Sequence, residues 1–264
     1  MLASAAVTTG SLARAARSTP RRVLRSALAR EAALFIALLA LYEIVRDRLE
    51  PSSATVPLQH ARQVVDAERA LGLFVEADVQ RAVTGLPGGR FVSSWIYTLA
   101  YTAGFVGFLL WVWLRHRDRY PFVRTWFWIV HGVAVLGFWL YPLAPPRLAG
   151  LGLADPTSRT LNLGGSLSWF EPFRNVYAAM PSMHVGQPVL FALAITWLAR
   201  PSPWRFAAWL WPAVMLVVVM ATANHYWLDA AGGATAVLIG LGLATLVLRS
   251  QRKPWQSYRS RITR

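Results

Sequence analysis

The chain has 264 residues, of which 55% are hydrophobic and only 15% charged, with a mean hydropathy of +0.39. A soluble domain carries about 25% charged residues, so this balance points to a membrane. The net charge of +15 does not mark a nucleic-acid binder, because the basic residues lie at the termini and between apolar runs, without a basic–aromatic surface motif. The absence of cysteine excludes disulfides and thiolate chemistry.

Taken in order, residues 1–30 are rich in Arg, Ser and Ala and contain no acid. They lack the apolar core of a cleaved secretory signal and read as a disordered basic cytoplasmic tail. Residues 31–248 form the expected membrane domain, and 249–264 a second basic cytoplasmic tail. Because a spanning helix needs roughly 20 mostly apolar residues, the expected fold is an all-α bundle of about six spans. They fall near 31–48, 91–114, 122–143, 184–199, 205–222 and 229–248. The first is the weakest, since Glu31 and Glu43 flank or interrupt it. Trp and Tyr gather near several span ends, as interfacial belts do. Between the first two spans, residues 57–83 place Leu71, Phe74, Val75, Val79 and Ala82 at helical spacing among charges. That segment is too polar to span and reads as one amphipathic helix on the outer surface, ended by G-L-P-G-G at 85–89.

Orientation follows from the arginines. With the N-terminus inside and six alternating spans, 18 basic residues fall in inside segments and 9 outside, as the positive-inside rule requires. Both termini are then cytoplasmic. The same arrangement brings His184, His225 and Asp229 to the outer face, although none of them entered the count.

After Glu171 the only acidic residue is Asp229, four positions beyond His225 in N-H-Y-W-L-D. A carboxylate near a membrane is costly and is usually kept for a task. Spacing of i and i+4 puts the two side chains one helical turn apart. The aspartate can then fix the imidazole tautomer and stabilise its charge, leaving the other ring nitrogen as nucleophile or base; a buried polar pair without chemistry is the plainer alternative. His184 stands in A-A-M-P-S-M-H, where Ser182 could cap the fourth span. Arg147, in Y-P-L-A-P-P-R-L, leaves the third span on the same face and suits an oxyanion such as phosphate.

A Pro-rich loop with Arg, then P-S-x-H, then H-x-x-x-D resembles the type-2 phosphatidic acid phosphatase superfamily. Y-P-L-A-P-P, A-A-M-P-S-M-H and N-H-Y-W-L-D are most similar to its inositol phosphorylceramide synthase branch and bacterial relatives. The resemblance covers about residues 90–248. It implies a phosphoryl-enzyme mechanism needing no metal or cofactor: His225 attacks phosphorus, Asp229 orients it, and His184 serves as acid and then base. The implied partners are the lipid bilayer, a lipid phosphate or pyrophosphate, and an acceptor that is water or a polyol such as inositol. The implied location is a bacterial plasma membrane.

The chain departs from the family pattern in its phosphate clamp. Leu140 and Leu148 stand where the phosphatase branch has Lys and Pro, and Val218 and Val219 replace its Ser-Arg. Candidate substitutes are Arg174, Arg159, Asn224 and Tyr226, with Ser182 as a hydrogen-bond donor. The missing clamp argues against a vanadate-dependent haloperoxidase and agrees with the synthase-like branch. His131, inside the third span, is either a functional group or a hydrogen-bonded core side chain; His60 and His116 read as inert. A transporter or scaffold without catalysis is the rival class, against which stands the lack of paired Gly/Pro-broken spans in two halves.

Overall fold

The computed structural model describes residues 9–156 and 175–262, with side chains over 27–156 and 175–249. The chain divides into two compact units, residues 1–45 and 46–264. The described residues of the first belong to helix α1 (Thr9–Arg48); the candidate functional groups all lie in the second. Among the described residues there is no strand, only an isolated parallel bridge between Leu143 and Ala178.

The single amphipathic helix expected over 57–83 is two helices, α2 (Thr55–Ala70) and α3 (Glu76–Gly85). The break is local. Gly72 adopts φ +68°, a left-handed conformation open to glycine at no steric cost, and Leu73 N–H closes back on the Glu68 carbonyl at 2.7 Å. On α2 the buried positions are Pro57, Ala61, Val64, Val65 and Glu68, a helical stripe that includes a carboxylate. On α3 they are Glu76 and Gln80. Gln80 acts as a clamp, since its Nε2 donates to the carbonyls of Ala154 (2.8 Å) and Ala221 (3.0 Å).

Among the described residues, four helical rods are long and apolar enough to cross a membrane. The first, Gly89–Arg115, consists of α4 (Gly89–Trp95), one π-helical turn over Ile96–Ala100, and α5 (Tyr101–Arg115). The second is α6 (Tyr120–Leu140). The third joins a 3-10 turn (Pro203–Trp209) to α8 (Leu210–Ala221), and the fourth is the Trp227–Arg249 part of α9 (Trp227–Ile262). Of the six expected spans, these four meet the length and hydropathy of a crossing among the described residues. The helix α7 (Met183–Leu198) is apolar but only 16 residues long, about 24 Å at 1.5 Å per residue, short of a hydrocarbon core about 30 Å thick. The apolar part of α1 is interrupted by Glu31 and Glu43, with Arg30 and Arg46 beside them.

Helix α9 is the spine, packed along both α6 and α7. Trp126 of α6 donates its indole N–H to the Val237 carbonyl at 2.9 Å, a satisfied polar contact inside the bundle. At the start of α7 the approach is closer still. A Cβ on Gly233 would lie 2.1 Å from the Ser182 carbonyl oxygen, so only glycine lets the two backbones meet. The Pro-rich stretch after α6 is sewn down on two sides, with Leu143 N–H bonding Tyr177 O (2.7 Å) and Ala144 N–H bonding Pro57 O (3.2 Å). His60, read from sequence as inert, anchors it as well, with Nδ1 2.8 Å from the Pro142 carbonyl and its ring stacked on Tyr141 at 4.0 Å.

Candidate active site

Helix α8 ends at Ala221, and the chain reverses through a turn built on backbone bonds. Ala223 takes φ +52°, and the N–H groups of Asn224 and His225 both bond the Val219 carbonyl, at 3.0 and 3.3 Å. His225 therefore precedes α9 instead of lying on it, while Asp229 sits in its first turn. The helical i, i+4 geometry expected from the sequence is replaced by a turn followed by a helix start. The pair still forms: His225 Nδ1 is 3.2 Å from Asp229 Oδ2.

His225 Nδ1 is also 3.1 Å from the Ala179 carbonyl. A carbonyl can only accept, so Nδ1 must carry the hydrogen, and in the neutral ring Nε2 keeps its lone pair. His225 is 5% exposed and Asp229 fully buried, so the pair works away from bulk water. The Ser182 N–H bonds the Asp229 carbonyl at 2.8 Å, which ties the P-S-M-H and N-H-Y-W-L-D segments together through the main chain.

His184, in the first turn of α7, faces His225 with ring centroids 5.5 Å apart and planes inclined at 49°. Two tyrosines hold it: Tyr97 stacks at 4.2 Å and 16°, and Tyr101 lies at 4.4 Å and 36°. Tyr101 also donates its hydroxyl to the Met183 carbonyl at 3.3 Å. Both come from the π-helical turn and its exit, and such turns are frequent at functional sites. The sequence reading missed them, because Tyr at the end of an apolar span reads as an interfacial anchor.

Arg147 meets the same turn from the other side. Its backbone N–H bonds Ala223 O at 3.1 Å, its guanidinium donates to the Asn224 side-chain oxygen, and its Nε lies 3.9 Å from Asp155. The guanidinium is held but not sealed, with 15% of the side chain exposed. Of the other expected contacts, Ser182 is fully buried, and its hydroxyl neither caps α7 nor finds another hydrogen-bond partner. Tyr226 is fully buried among Ala61, Val64, Val65, Leu143, Ala144 and Ala179, its hydroxyl also unpartnered. Burial, with Asp229, Glu68 and Glu76 nearby, pushes its phenol above the usual range. Arg159 and Arg174 lie outside the described residues. Val218 and Val219 are buried and apolar, and Leu140 is largely exposed, so those positions carry no clamp.

His131 sits apart from this cluster, with both ring nitrogens engaged. Nδ1 donates to the Phe127 carbonyl at 2.8 Å, so Nε2 is the acceptor for Gln187 Nε2 at 2.9 Å. Among the described residues, no group of three or more His, Cys, Asp or Glu side chains stands together as metal ligands.

Two carboxylates complete the surroundings. Glu76 Oε1 accepts the Trp227 N–H at 2.8 Å and Glu68 Oε1 the Leu228 N–H at 2.7 Å. They occupy amides at the positive end of α9 that a bound anion would otherwise seek.

A family model described as the PAP2 superfamily matches residues 62–243, well over half of the chain. The matched range contains His184, His225, Asp229 and Arg147, together with Glu68 and Glu76. No curated protein and no solved structure matches the chain.

Proposed function

The chain belongs to the PAP2 superfamily and is a membrane protein of phosphatase type; on that premise we propose that it cleaves a lipid-linked phosphate ester through a phosphohistidine on His225. The observation that carries this reading is the double hold on His225 Nδ1 by Ala179 and Asp229, with His184 facing the ring at 5.5 Å. His225 Nε2 forms a bond to phosphorus as the bond to the leaving oxygen breaks, and protonated His184 gives that oxygen its proton. Asp229 offsets the positive charge on the phosphorylated ring. His184, now neutral, takes a proton from the acceptor as its oxygen attacks phosphorus, and the P–N bond breaks to restore His225. The faces of Tyr97 and Tyr101 suit a cationic His184. Arg147, steadied by Asn224, takes the phosphate oxygens, with the Ser182 hydroxyl as a further donor, while the Tyr226 phenol is turned away into the core beside Glu68 and Glu76.

A polyol acceptor in place of water is the second reading, and the apolar clamp positions Val218, Val219 and Leu140 favour it. With fewer fixed cations, the site depends more on its bound lipid and acceptor to order the phosphate. If α1 and α7 also cross, the basic residues divide 18 inside to 9 outside, which favours cytoplasmic termini with the site at the outer face.

The test is phosphate release by detergent-purified protein from a panel of lipid phosphates and pyrophosphates, with EDTA present and with or without inositol. His225→Ala should abolish release, by about 10³-fold or more. Equal rates in wild type and variant would sink the phosphohistidine. Formation of an inositol-bearing lipid in place of free phosphate would select the transfer reading.

A further inference from the structure

Polar surface helices normally turn their carboxylates to water. The helices α2 and α3 do the reverse: Glu68 and Glu76 are both fully buried. The turn at Gly72 folds the end of α2 onto the start of α3, and both side chains reach the first two residues of α9, immediately before Asp229. Their second oxygens, the Tyr226 hydroxyl and Asp229 Oδ1 have no other hydrogen-bond partner. The groups facing Glu68 are all acidic: Glu76 from α3, Asp229 from α9 and the Tyr226 phenol between them. Among the described residues no cation pairs with either glutamate. Two adjoining carboxylates in a dry site cannot both ionise without large cost, and burial, with Glu76 beside it, pushes Glu68 up to about 8.

We propose that Glu68 and Glu76 are positioning residues of the active centre: a carboxyl pair sharing one proton, which caps the helix carrying Asp229 and holds that carboxylate against His225. The proposal rests on reading His225 as the nucleophile. It makes α2 and α3 working parts of the site. It also explains why a costly pair is retained: the two caps fix the helix start, and their charge sits directly behind the His225–Asp229 pair.

The experiment uses the full chain in detergent, measuring thermal unfolding and phosphate release from pH 5 to 9 for wild type, Glu68→Gln, Glu68→Ala and Glu76→Ala. Glu68 binds its proton more tightly folded than unfolded. Its stabilising contribution is therefore fully present at low pH and is lost as pH rises through about 8. A glutamine at 68 cannot titrate but still accepts the Leu228 N–H, so Glu68→Gln should flatten that fall. The same pH slope in both proteins would overturn the shared proton. The alanine variants should lower kcat about tenfold with KM within about twofold; wild-type kcat, or a loss confined to KM, would overturn the positioning role. Should the alanine variants fail to fold, Glu68→Gln decides alone: its kcat should match wild type below about pH 7 and diverge above about pH 8, and superimposed profiles would refute the pair. If wild type neither releases phosphate from any lipid nor forms an inositol-bearing lipid when inositol is added, the reading of His225 fails instead, and the unfolding curves still decide whether the proton is shared.

Discussion

On the proposed reading, the nucleophile half of the site and the half that would hold the phosphate are built unequally. On the nucleophile side, His225 is held by the Ala179 carbonyl, by Asp229 and by a backbone turn closed on Val219. On the other side, a single described arginine, Arg147, faces the turn, with Asn224 and Asp155 as partners. The difference teaches that orientation has been fixed in the main chain while anion binding has been left to side chains. The first resists substitution; the second can change with the substrate.

Asp229→Asn should have the largest effect on the nucleophile side. Where a carboxylate alone sets the tautomer, its amide variant costs about 10⁴-fold in kcat. Here Ala179 holds the same N–H, so the tautomer survives and the expected loss is nearer 10²-fold, all from lost charge stabilisation. A steady-state kcat below about 10⁻⁴ of wild type would show that the carbonyl does not share the task. Arg147→Ala should come next, lowering kcat/KM by about 10- to 100-fold, with Arg147→Lys recovering only part because one point charge replaces a planar fork. A variant with unchanged kcat/KM would break the comparison by moving the phosphate elsewhere. Smallest is Tyr97→Leu, which removes the stacked face from His184 and should lower kcat about 3- to 10-fold, while Tyr97→Phe keeps it. Equal losses in both variants would assign the role to the hydroxyl.

The histidine half was legible in the sequence because rare residue types stand out against an apolar background. Asp229 is the only acid after Glu171, and His184 and His225 open apolar runs. Glu68 and Glu76 were not legible. In a helix of alternating charge, residues eight apart look like one solvated face, and only the reversal at Gly72 turns both inward. The same reversal is why one expected helix is two. Spans were legible where apolar runs were long, as in Tyr120–Leu140. They were less legible where the helix is 16 residues long or the apolar stretch carries charges, as in Met183–Leu198 and around Glu31 and Glu43.

The backbone contact of Gly233 with Ser182 also governs how this protein can vary. Any side chain at 233 would drive into a carbonyl 2.1 Å away and part the two segments that carry His184 and Asp229. Position 233 is thus a mutational dead end buried at the contact between the two segments, whereas exposed apolar neighbours such as Leu238 and Ile239 can drift among similar residues at little cost. The contact between the two histidine segments leaves no slack for adjustment, so variation at this end of the bundle is left to the side chains around it.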